Sequence, residues 1–163
     1  AIEVKPKKKG PVPPFITSTL QQAASNRYGF TSQRTMQVAQ KLYEGMEIKG
    51  QGSVGLITYM RTDAPRLSNE ALAEIRGWLA KEYGDAFVPE KPNLFKSKKG
   101  AQEAHEAIRP TSIERTPASV RPFLTEEQFK LYDLIWKRAV ASQATAAEFD
   151  QTAVDIEIGR AHV

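Results

Sequence analysis

The sequence predicts a mainly α-helical domain with a small β element, a winged-helix-like body with a β-strand piece at each end. Three observations predict it. Apolar residues recur at helical spacing through most of the chain, a short segment rich in strand formers lies between the helices, and apolar residues alternate with polar ones near both termini. A chain of 163 residues is long enough for one domain with a sizeable core.

Two helices are predicted in the first third of the chain. Ser18, with Gln21 three residues later, resembles a capping box that opens a short helix ending at Gly29. A second helix follows Thr31, and Gly45 is its stop signal. The predicted apolar face of the second helix comprises Met36, Ala39, Leu42 and Tyr43.

The third predicted helix starts after Ser68, whose side chain can cap it, and closes at Gly84. Its predicted apolar stripe comprises Leu72, Ile75, Leu79 and Tyr83. After a loop rich in proline, lysine and glycine, residues 101–108 are expected to form another helix or turn, which Pro110 ends.

Two more helices are predicted toward the C-terminus. Thr116 followed by Pro117 is the favoured order of a cap and a first helical residue, and it predicts a short helix. Thr125 with Gln128 predicts a long one. The predicted apolar face of the long helix comprises Phe129, Tyr132, Ile135, Trp136 and Val140.

The central strand is predicted over Val54–Met60, because this segment is rich in strand formers and follows Gly50 and Gly52. It supplies the small β element among the helices. A short hairpin beside compact helices is compatible with a winged-helix-like body.

The terminal strand pieces are predicted from period-two alternation. Val154, Ile156 and Ile158 alternate with polar residues or glycine near the C-terminus, and residues 2–4 do so more briefly near the N-terminus. Residues 5–11 are expected to form an extended, solvated basic connector, because proline and glycine interrupt pairing and the lysines repel one another.

Composition narrows the class of protein only in part. Cysteine is absent, which excludes disulfides and thiolate zinc sites, and no apolar run is long enough for a membrane helix. The net charge of +4 favours polyanionic partners, although many enzymes without nucleic-acid substrates share such an excess. The chain starts without methionine, and both of its ends are expected to be cuts in a longer polypeptide.

The first candidate site is the run Thr58-Tyr59-Met60-Arg61-Thr62-Asp63. In an extended backbone Tyr59, Arg61 and Asp63 lie on the same side. A guanidinium favours the phenolate form of a neighbouring tyrosine and binds two phosphate oxygens at once, which suits nucleophilic attack on a phosphodiester. The alternative is a strand tyrosine packed in the core, with Arg61 and Asp63 as a surface ion pair.

The second candidate site is the run from Ala101 to Pro110. At helical spacing His105 and Arg109 share a face, where they can meet a phosphate. A metal site built on His105 with its two neighbouring glutamates, Glu103 and Glu106, lacks recognisable ligand spacing. The plainer alternative is a surface turn with one satisfied histidine.

Three segments together resemble the type IA topoisomerases, the family of bacterial DNA topoisomerase I. Residues 55–63, GLITYMRTD, look like its active-site tyrosine motif, and residues 102–110, QEAHEAIRP, look like its second signature. Residues 17–24, TSTLQQAA, and the helix through residues 36–44 resemble the segment that precedes them, so the resemblance covers nearly the whole chain. One departure is Ala64, where the family usually has serine.

The resemblance implies that Tyr59 attacks single-stranded DNA and leaves a 5′-phosphotyrosine and a free 3′-hydroxyl. Arg61 would position and stabilise the scissile phosphate, and His105 would support it. The residues implied to contact DNA are Arg61, Thr58, Asp63 and Arg109.

The resemblance also implies a division of the chain. Residues 1–12 would be a strand and basic linker of an arch domain, residues 13–147 the tyrosine-bearing helical domain, and residues 148–163 the returning strand of the arch. The full-length parent would be a monomeric, cytoplasmic, nucleoid-associated bacterial enzyme, with no membrane contact, that relaxes negatively supercoiled DNA without ATP. Its Mg²⁺ ligands and its general-acid glutamate would lie in a Toprim domain outside this chain, so the fragment alone is expected to be inactive.

Two other functions remain open at the level of sequence. One is a non-catalytic, helical module that binds nucleic acid through its basic surface, and the other is a small phosphotransfer enzyme complete in itself. Only an enzyme that attacks through tyrosine needs the Tyr59 hydroxyl, which separates the leading hypothesis from the binding module.

Overall fold

A computed structural model describes residues 1–97 and 105–159. Within those residues, helices form the body and two separate antiparallel strand pairs complete it. The elements in chain order are β1 (Ile2–Lys9), α1 (Thr17–Tyr28), α2 (Ser32–Glu44), β2 (Met46–Ile48), β3 (Gly52–Val54), α3 (Asn69–Tyr83), a 3₁₀ turn (Asp85–Phe87), α4 (Pro117–Val120), a second 3₁₀ turn (Arg121–Phe123), α5 (Glu126–Ser142) and β4 (Ala147–Val154). The predicted fold class, mainly α with a small β element, is confirmed.

Most helix starts follow the capping residues that the sequence indicates. A threonine or serine hydroxyl accepts a hydrogen bond from the backbone N–H three residues later, which satisfies one of the free donors of the first turn. The capping hydroxyls belong to Thr31, Ser68, Thr116 and Thr125. The predicted starts of α2, α3, α4 and α5 are therefore confirmed.

Helix α1 begins differently from the prediction. Its N-cap is Ile16, and the Thr19 hydroxyl accepts the Ile16 N–H at 3.0 Å. Ser18 lies inside the helix, so the predicted Ser18–Gln21 capping box is wrong. The predicted end is confirmed, because Gly29 has φ 69°, a left-handed conformation that glycine adopts without a Cβ clash.

The core lies where α5 packs against α2, α3 and α1. Tyr132 and Trp136 of α5 are buried, and each donates its polar hydrogen to a backbone carbonyl, Tyr132 to Arg115 and Trp136 to Ile113. Burial raises the pKa of Tyr132, because the phenolate form loses solvation. The predicted α3 stripe is correct except at Tyr83, which is exposed because it occupies the last turn beyond the core.

The central β element is shorter than predicted. Strands β2 and β3 form a hairpin in which Met46 pairs with Val54, so regular pairing ends where the predicted strand Val54–Met60 begins. Beyond β3 no further strand is formed up to Asp63. Ile57 makes an isolated bridge with Pro110, and the backbone bends at Met60.

Residues 105–110 are not helical, contrary to the prediction of a helix or turn over residues 101–108. Ile108 forms a bridge with Phe15 and donates its N–H to the Phe15 carbonyl at 2.8 Å, so its backbone is committed to a neighbouring segment. Residues 101–104 of the predicted helix lie outside the described residues.

The two termini form an antiparallel ribbon, β1 with β4, whose register pairs Ile2 with Val154 and Lys9 with Ala147. Residues 5–11 were predicted to form a connector without regular pairing. This prediction is wrong for residues 5–9, which belong to β1 and pair with β4. Pro6 fits into β1 because a two-stranded ribbon has two free edges, where a missing N–H is tolerated. Of the alternating residues near the C-terminus only Val154 lies in the strand, and Ile156 and Ile158 follow it as exposed residues.

Helices of the described part of the chain are all too short or too polar to span a bilayer.

Candidate active site

Tyr59 and Arg61 project from a segment whose intervening residue anchors it in the core. Tyr59 is 45% exposed, Arg61 and Asp63 are exposed, and Met60 is fully buried. The segment is not a regular strand, and its backbone bends at Met60, the residue that points into the core. The predicted common side of Tyr59, Arg61 and Asp63 agrees with their exposure, and the alternative of a core tyrosine is wrong.

Thr58 ties this segment to the second motif. Its N–H donates to the Arg109 carbonyl at 2.9 Å, its hydroxyl donates to the Ala107 carbonyl at 2.7 Å, and the hydroxyl accepts the Arg109 N–H at 3.0 Å. The two motifs are separated by about fifty residues, yet these hydrogen bonds and the isolated bridge between Ile57 and Pro110 place them side by side. Thr58 was predicted to contact DNA, and the structure commits its hydroxyl to the backbone of the second motif.

Thr17, at the start of α1, holds the same segment from the other side. Its N–H donates to the Thr62 carbonyl at 3.0 Å, and its hydroxyl donates to the Met60 carbonyl at 2.7 Å. The hydroxyl also accepts the Thr62 N–H at 2.9 Å. This contact could not be predicted from local sequence patterns, because it joins residues more than forty positions apart.

Downstream, the chain turns through Ala64, the residue that stands where the family usually has serine. Ala64 is fully buried, and its N–H donates to the Thr62 hydroxyl at 3.1 Å. The Thr62 side chain thus supports the turn locally.

Arg109 and Glu106 form a partly buried ion pair beside Tyr59. The guanidinium contacts the Glu106 carboxylate at 3.0 Å and donates to the Pro110 carbonyl, while the carboxylate also accepts the N–H of Ser68, the cap of α3. Burial alone raises the pKa of Glu106, but the hydrogen bonds and charge of Arg109 and the Ser68 N–H outweigh it and hold this pKa below the usual range. Arg109, predicted to contact DNA, is thus engaged within the protein.

His105 is exposed and lies at the junction of two depressions in the surface. A groove of about 550 Å³ runs along the first turn of α1, and a recess of about 350 Å³ contains Tyr59. Residues that line the groove include Ser18, Gln21, Arg61, Asp63 and His105. His105 and Thr62 line both depressions, so the predicted triad of Tyr59, Arg61 and His105 surrounds one continuous surface.

Tyr43 is a neighbour of Tyr59 that the sequence did not indicate. The two rings pack edge to face with centroids 5.3 Å apart, and Tyr43 is itself 41% exposed. Gly55 lets the chain after β3 pass close to the backbone at the end of α2, because a Cβ there would lie 2.7 Å from the Tyr43 carbonyl oxygen. The prediction placed Tyr43 on the apolar face of α2, and its position in the last turn carries it beyond the core instead.

No set of three or more His, Cys, Asp or Glu side chains converges in residues 1–97 and 105–159 to hold a metal ion. Glu106 is occupied by Arg109 and Ser68, so the metal site considered for His105 and its glutamate neighbours has no support among the described residues.

Comparison with known proteins relates this geometry to a family. A family model described as DNA topoisomerase matches residues 1–163. DNA topoisomerase 1 of Xylella fastidiosa is 58% identical over 160 residues, which cover 98% of this chain and 20% of that protein. DNA topoisomerase 1 of Rickettsia felis is 57% identical over 143 residues, 87% of this chain and 18% of that protein.

A solved structure shows the same fold. Full-length topoisomerase I from Thermotoga maritima matches with a TM-score of 0.79 and 41% sequence identity, over 93% of this chain and 24% of that one. This chain spans about a fifth of the length of the curated relatives it matches. With a family match over all of its residues, the chain belongs to the bacterial DNA topoisomerase I family.

Proposed function

We propose that Tyr59 is the nucleophile of a type IA topoisomerase, acting within a longer polypeptide that includes this chain. The phenol oxygen attacks the phosphorus of a phosphodiester in single-stranded DNA. A bond forms between that oxygen and phosphorus, the bond from phosphorus to the 3′-oxygen breaks, and the phenol proton is balanced by a proton on the departing 3′-hydroxyl. Resealing is the reverse reaction, so no external energy source is required.

The observation that carries this proposal is the arrangement of Tyr59 and Arg61 around buried Met60. Both functional side chains face solvent on a backbone that hydrogen bonds fix at Thr58 and at Thr62. Arg61 can bind two non-bridging phosphate oxygens in its planar fork and offset the negative charge that grows during attack. A fixed backbone keeps the two groups ready without reorganisation.

His105 is proposed to support the phosphate from the opposite wall. It lines both the groove that contains Arg61 and the recess that contains Tyr59. An imidazole there can donate a hydrogen bond to a phosphate oxygen. Asp63, exposed in the same groove, is proposed to contact the strand through its sugars or bases, since its charge disfavours phosphate.

The groove at α1 offers a path for the DNA strand. Arg61 also lines a second depression, of about 740 Å³, along the polar face of α2, where Lys41 lies and where Arg34 is paired with Glu127. Cations spaced along a groove bind the phosphate backbone, and such binding weakens steeply with salt. The rival function, a non-catalytic module, uses the same surface but has no need for the Tyr59 hydroxyl.

Magnesium, which the family resemblance implies, does not fit the described residues of this chain. They present no cluster of acidic side chains, so the ion is proposed to be held by other domains of the longer polypeptide. The isolated chain is accordingly proposed to relax no DNA.

The test replaces Tyr59 by phenylalanine in the full-length polypeptide that carries this chain. Tyr59→Phe keeps the ring and its packing on Tyr43 but removes the attacking oxygen, so covalent protein–DNA adducts on denaturing gels should vanish while single-stranded DNA still binds. Loss of a hydroxyl hydrogen bond costs the fold only about 1 kcal/mol. Arg61→Lys keeps the charge but loses the two-pronged grip, so adducts should form more slowly.

Tyr43→Phe is the matched control, because it removes the hydroxyl of the neighbouring ring of similar exposure. Adduct formation should persist in this variant. Adducts from Tyr59→Phe would overturn the proposal, and their loss from Tyr43→Phe instead would move the nucleophile to the other ring.

A further inference from the structure

The hydroxyl of Thr17 does not serve its own helix. Thr17 is the first residue of α1, directly after the N-cap Ile16. Among the described residues its hydroxyl bonds to the Met60–Thr62 segment and to no N–H of the first turn. The first turn of α1 is instead closed by Thr19 and Ile16. The Thr17 side chain therefore links the start of α1 to the backbone of residues 60–62.

The hydroxyl contacts both peptide units that flank Arg61, and it also lies 3.0 Å from the Thr62 carbonyl oxygen. The Met60 carbonyl, 2.7 Å from the hydroxyl, belongs to the peptide before Arg61, and the Thr62 N–H, 2.9 Å away, belongs to the peptide after it. Fixing both peptide planes fixes the φ and ψ angles of the residue between them. The Thr17 N–H adds a bond to the Thr62 carbonyl at 3.0 Å.

We propose that Thr17 is a positioning residue for Arg61. By joining the peptides on either side, it holds the Arg61 backbone so that the exposed guanidinium enters the groove beside Tyr59 and His105. This inference rests on the proposed function, in which Arg61 binds the scissile phosphate. Thr17 acts through Arg61 and forms no bond to the reacting atoms.

The effect expected of such a residue falls on the chemical step. Misplacement of a catalytic group by about 1 Å lowers rates about a hundredfold, and loss of the hydroxyl leaves one backbone bond from Thr17 still in place. Thr17→Val should therefore slow covalent adduct formation at saturating DNA by about tenfold to a hundredfold. The concentration of single-stranded oligonucleotide that gives half-saturation should change by less than about twofold, because the rest of the groove is intact.

The experiment uses the full-length polypeptide with Thr17→Val, Thr17→Ser and Thr35→Val. Thr17→Ser keeps the hydroxyl and should restore the rate. Thr35→Val is the matched control, since Thr35 is fully buried and its hydroxyl donates to the Thr31 carbonyl at 3.0 Å, away from the groove. It should cleave DNA as the wild type does.

A double-mutant cycle with Arg61→Ala separates positioning from general destabilisation. If Thr17 acts through Arg61, Thr17→Val should have almost no further effect on the adduct rate once the guanidinium is gone. An undiminished effect in the Arg61→Ala background, or a wild-type rate for Thr17→Val alone, would overturn the inference. Should Thr17→Val not fold, Thr17→Cys takes its place, because its thiol bonds only weakly, and a wild-type rate again overturns the inference.

Tyr59→Phe in the same assay keeps the two proposals apart. Adducts from that variant would defeat the proposed function. Absence of adducts from Tyr59→Phe together with normal rates from Thr17→Val would defeat only the role of Thr17.

Discussion

Two non-helical segments of this molecule, the Tyr59 segment (residues 58–62) and the terminal ribbon of β1 and β4, have opposite surroundings. Hydrogen bonds from α1 and from residues 107–109 hold the Tyr59 segment on both sides, and Met60 anchors it in the core. The ribbon pairs regularly along its whole length, but every residue in both of its strands is exposed.

The contrast shows that regular strand pairing alone does not anchor a segment to the core of the protein. A two-stranded ribbon is at best marginally stable alone, because it buries little apolar surface. The Tyr59 segment has little regular pairing, but buried side chains and threonine hydroxyls determine its position. Substitutions in the Tyr59 segment should therefore be costly and those in the ribbon nearly silent.

Met60→Ala should give the largest effect on stability. Met60 is fully buried between two exposed functional residues, so truncation leaves a cavity under the Tyr59 segment. Such truncations cost about 2–5 kcal/mol in free energy of unfolding. Chemical denaturation of the isolated chain measures this loss.

Phe149→Ala on β4 is the control for that measurement, because it removes a larger side chain that is 52% exposed. Its unfolding free energy should stay within about 0.5 kcal/mol of wild type. Equal losses from the two substitutions would mean that the ribbon is packed as firmly as the Tyr59 segment, and the contrast would fail.

Glu106→Gln should give an intermediate, pH-dependent effect. The Glu106–Arg109 pair joins side chains that are 24% and 14% exposed, and the pKa of Glu106 is lowered in the folded state. A lowered carboxyl pKa stabilises the fold above the ordinary value of about 4.3, and this contribution disappears as pH falls through the lowered pKa. The substitution should cost about 1–2 kcal/mol near pH 7 and progressively less in acid.

Glu148→Gln in the ribbon tests the same comparison with an exposed pair. Lys8 and Glu148 lie 2.7 Å apart, closer than Glu106 and Arg109, but their side chains are 74% and 70% exposed, so water and salt screen their attraction. Denaturation at low and high pH should show no measurable change. A larger loss of stability from Glu148→Gln than from Glu106→Gln would contradict the expectation that the partly buried ion pair stabilises the fold more than the exposed one.

Sequence reasoning succeeded where the controlling contacts are local. The caps at Thr31, Ser68 and Thr125 are correct because a capping hydroxyl acts within three residues of its own position. It failed where distant segments take over the backbone. Residues 105–110 have helical spacing, but Ile108 bonds to Phe15, so the long-range bond prevails over the local pattern.

In the candidate site, too, features set by local sequence were predictable and features set by distant contacts were not. Alternation was enough to predict a common side for Tyr59 and Arg61, but their exposure was not predicted, because a tyrosine packed in the core fitted the same pattern. Their supports were not predictable, because Thr17 and Tyr43 reach them only through folding, and neither residue type marks its partner. The predicted roles of Tyr59, Arg61 and His105 in catalysis, the DNA contacts and the division into domains remain predictions.

Removal of the ribbon should give the smallest effect on the body. A chain limited to residues 10–146 keeps the hydrogen bond from Arg138 to Pro13 and the bond from Thr145 to Phe87. Every described residue that it loses is exposed. Its thermal midpoint should match that of the whole chain, and its circular dichroism should keep the helical signal, because the buried cluster is untouched. A clear fall in the midpoint would show that the ribbon stabilises the body. The same midpoint would mean that α1, residues 107–109 and the buried core hold the Tyr59 segment without help from the ribbon, which then contributes nothing measurable to the stability of the body.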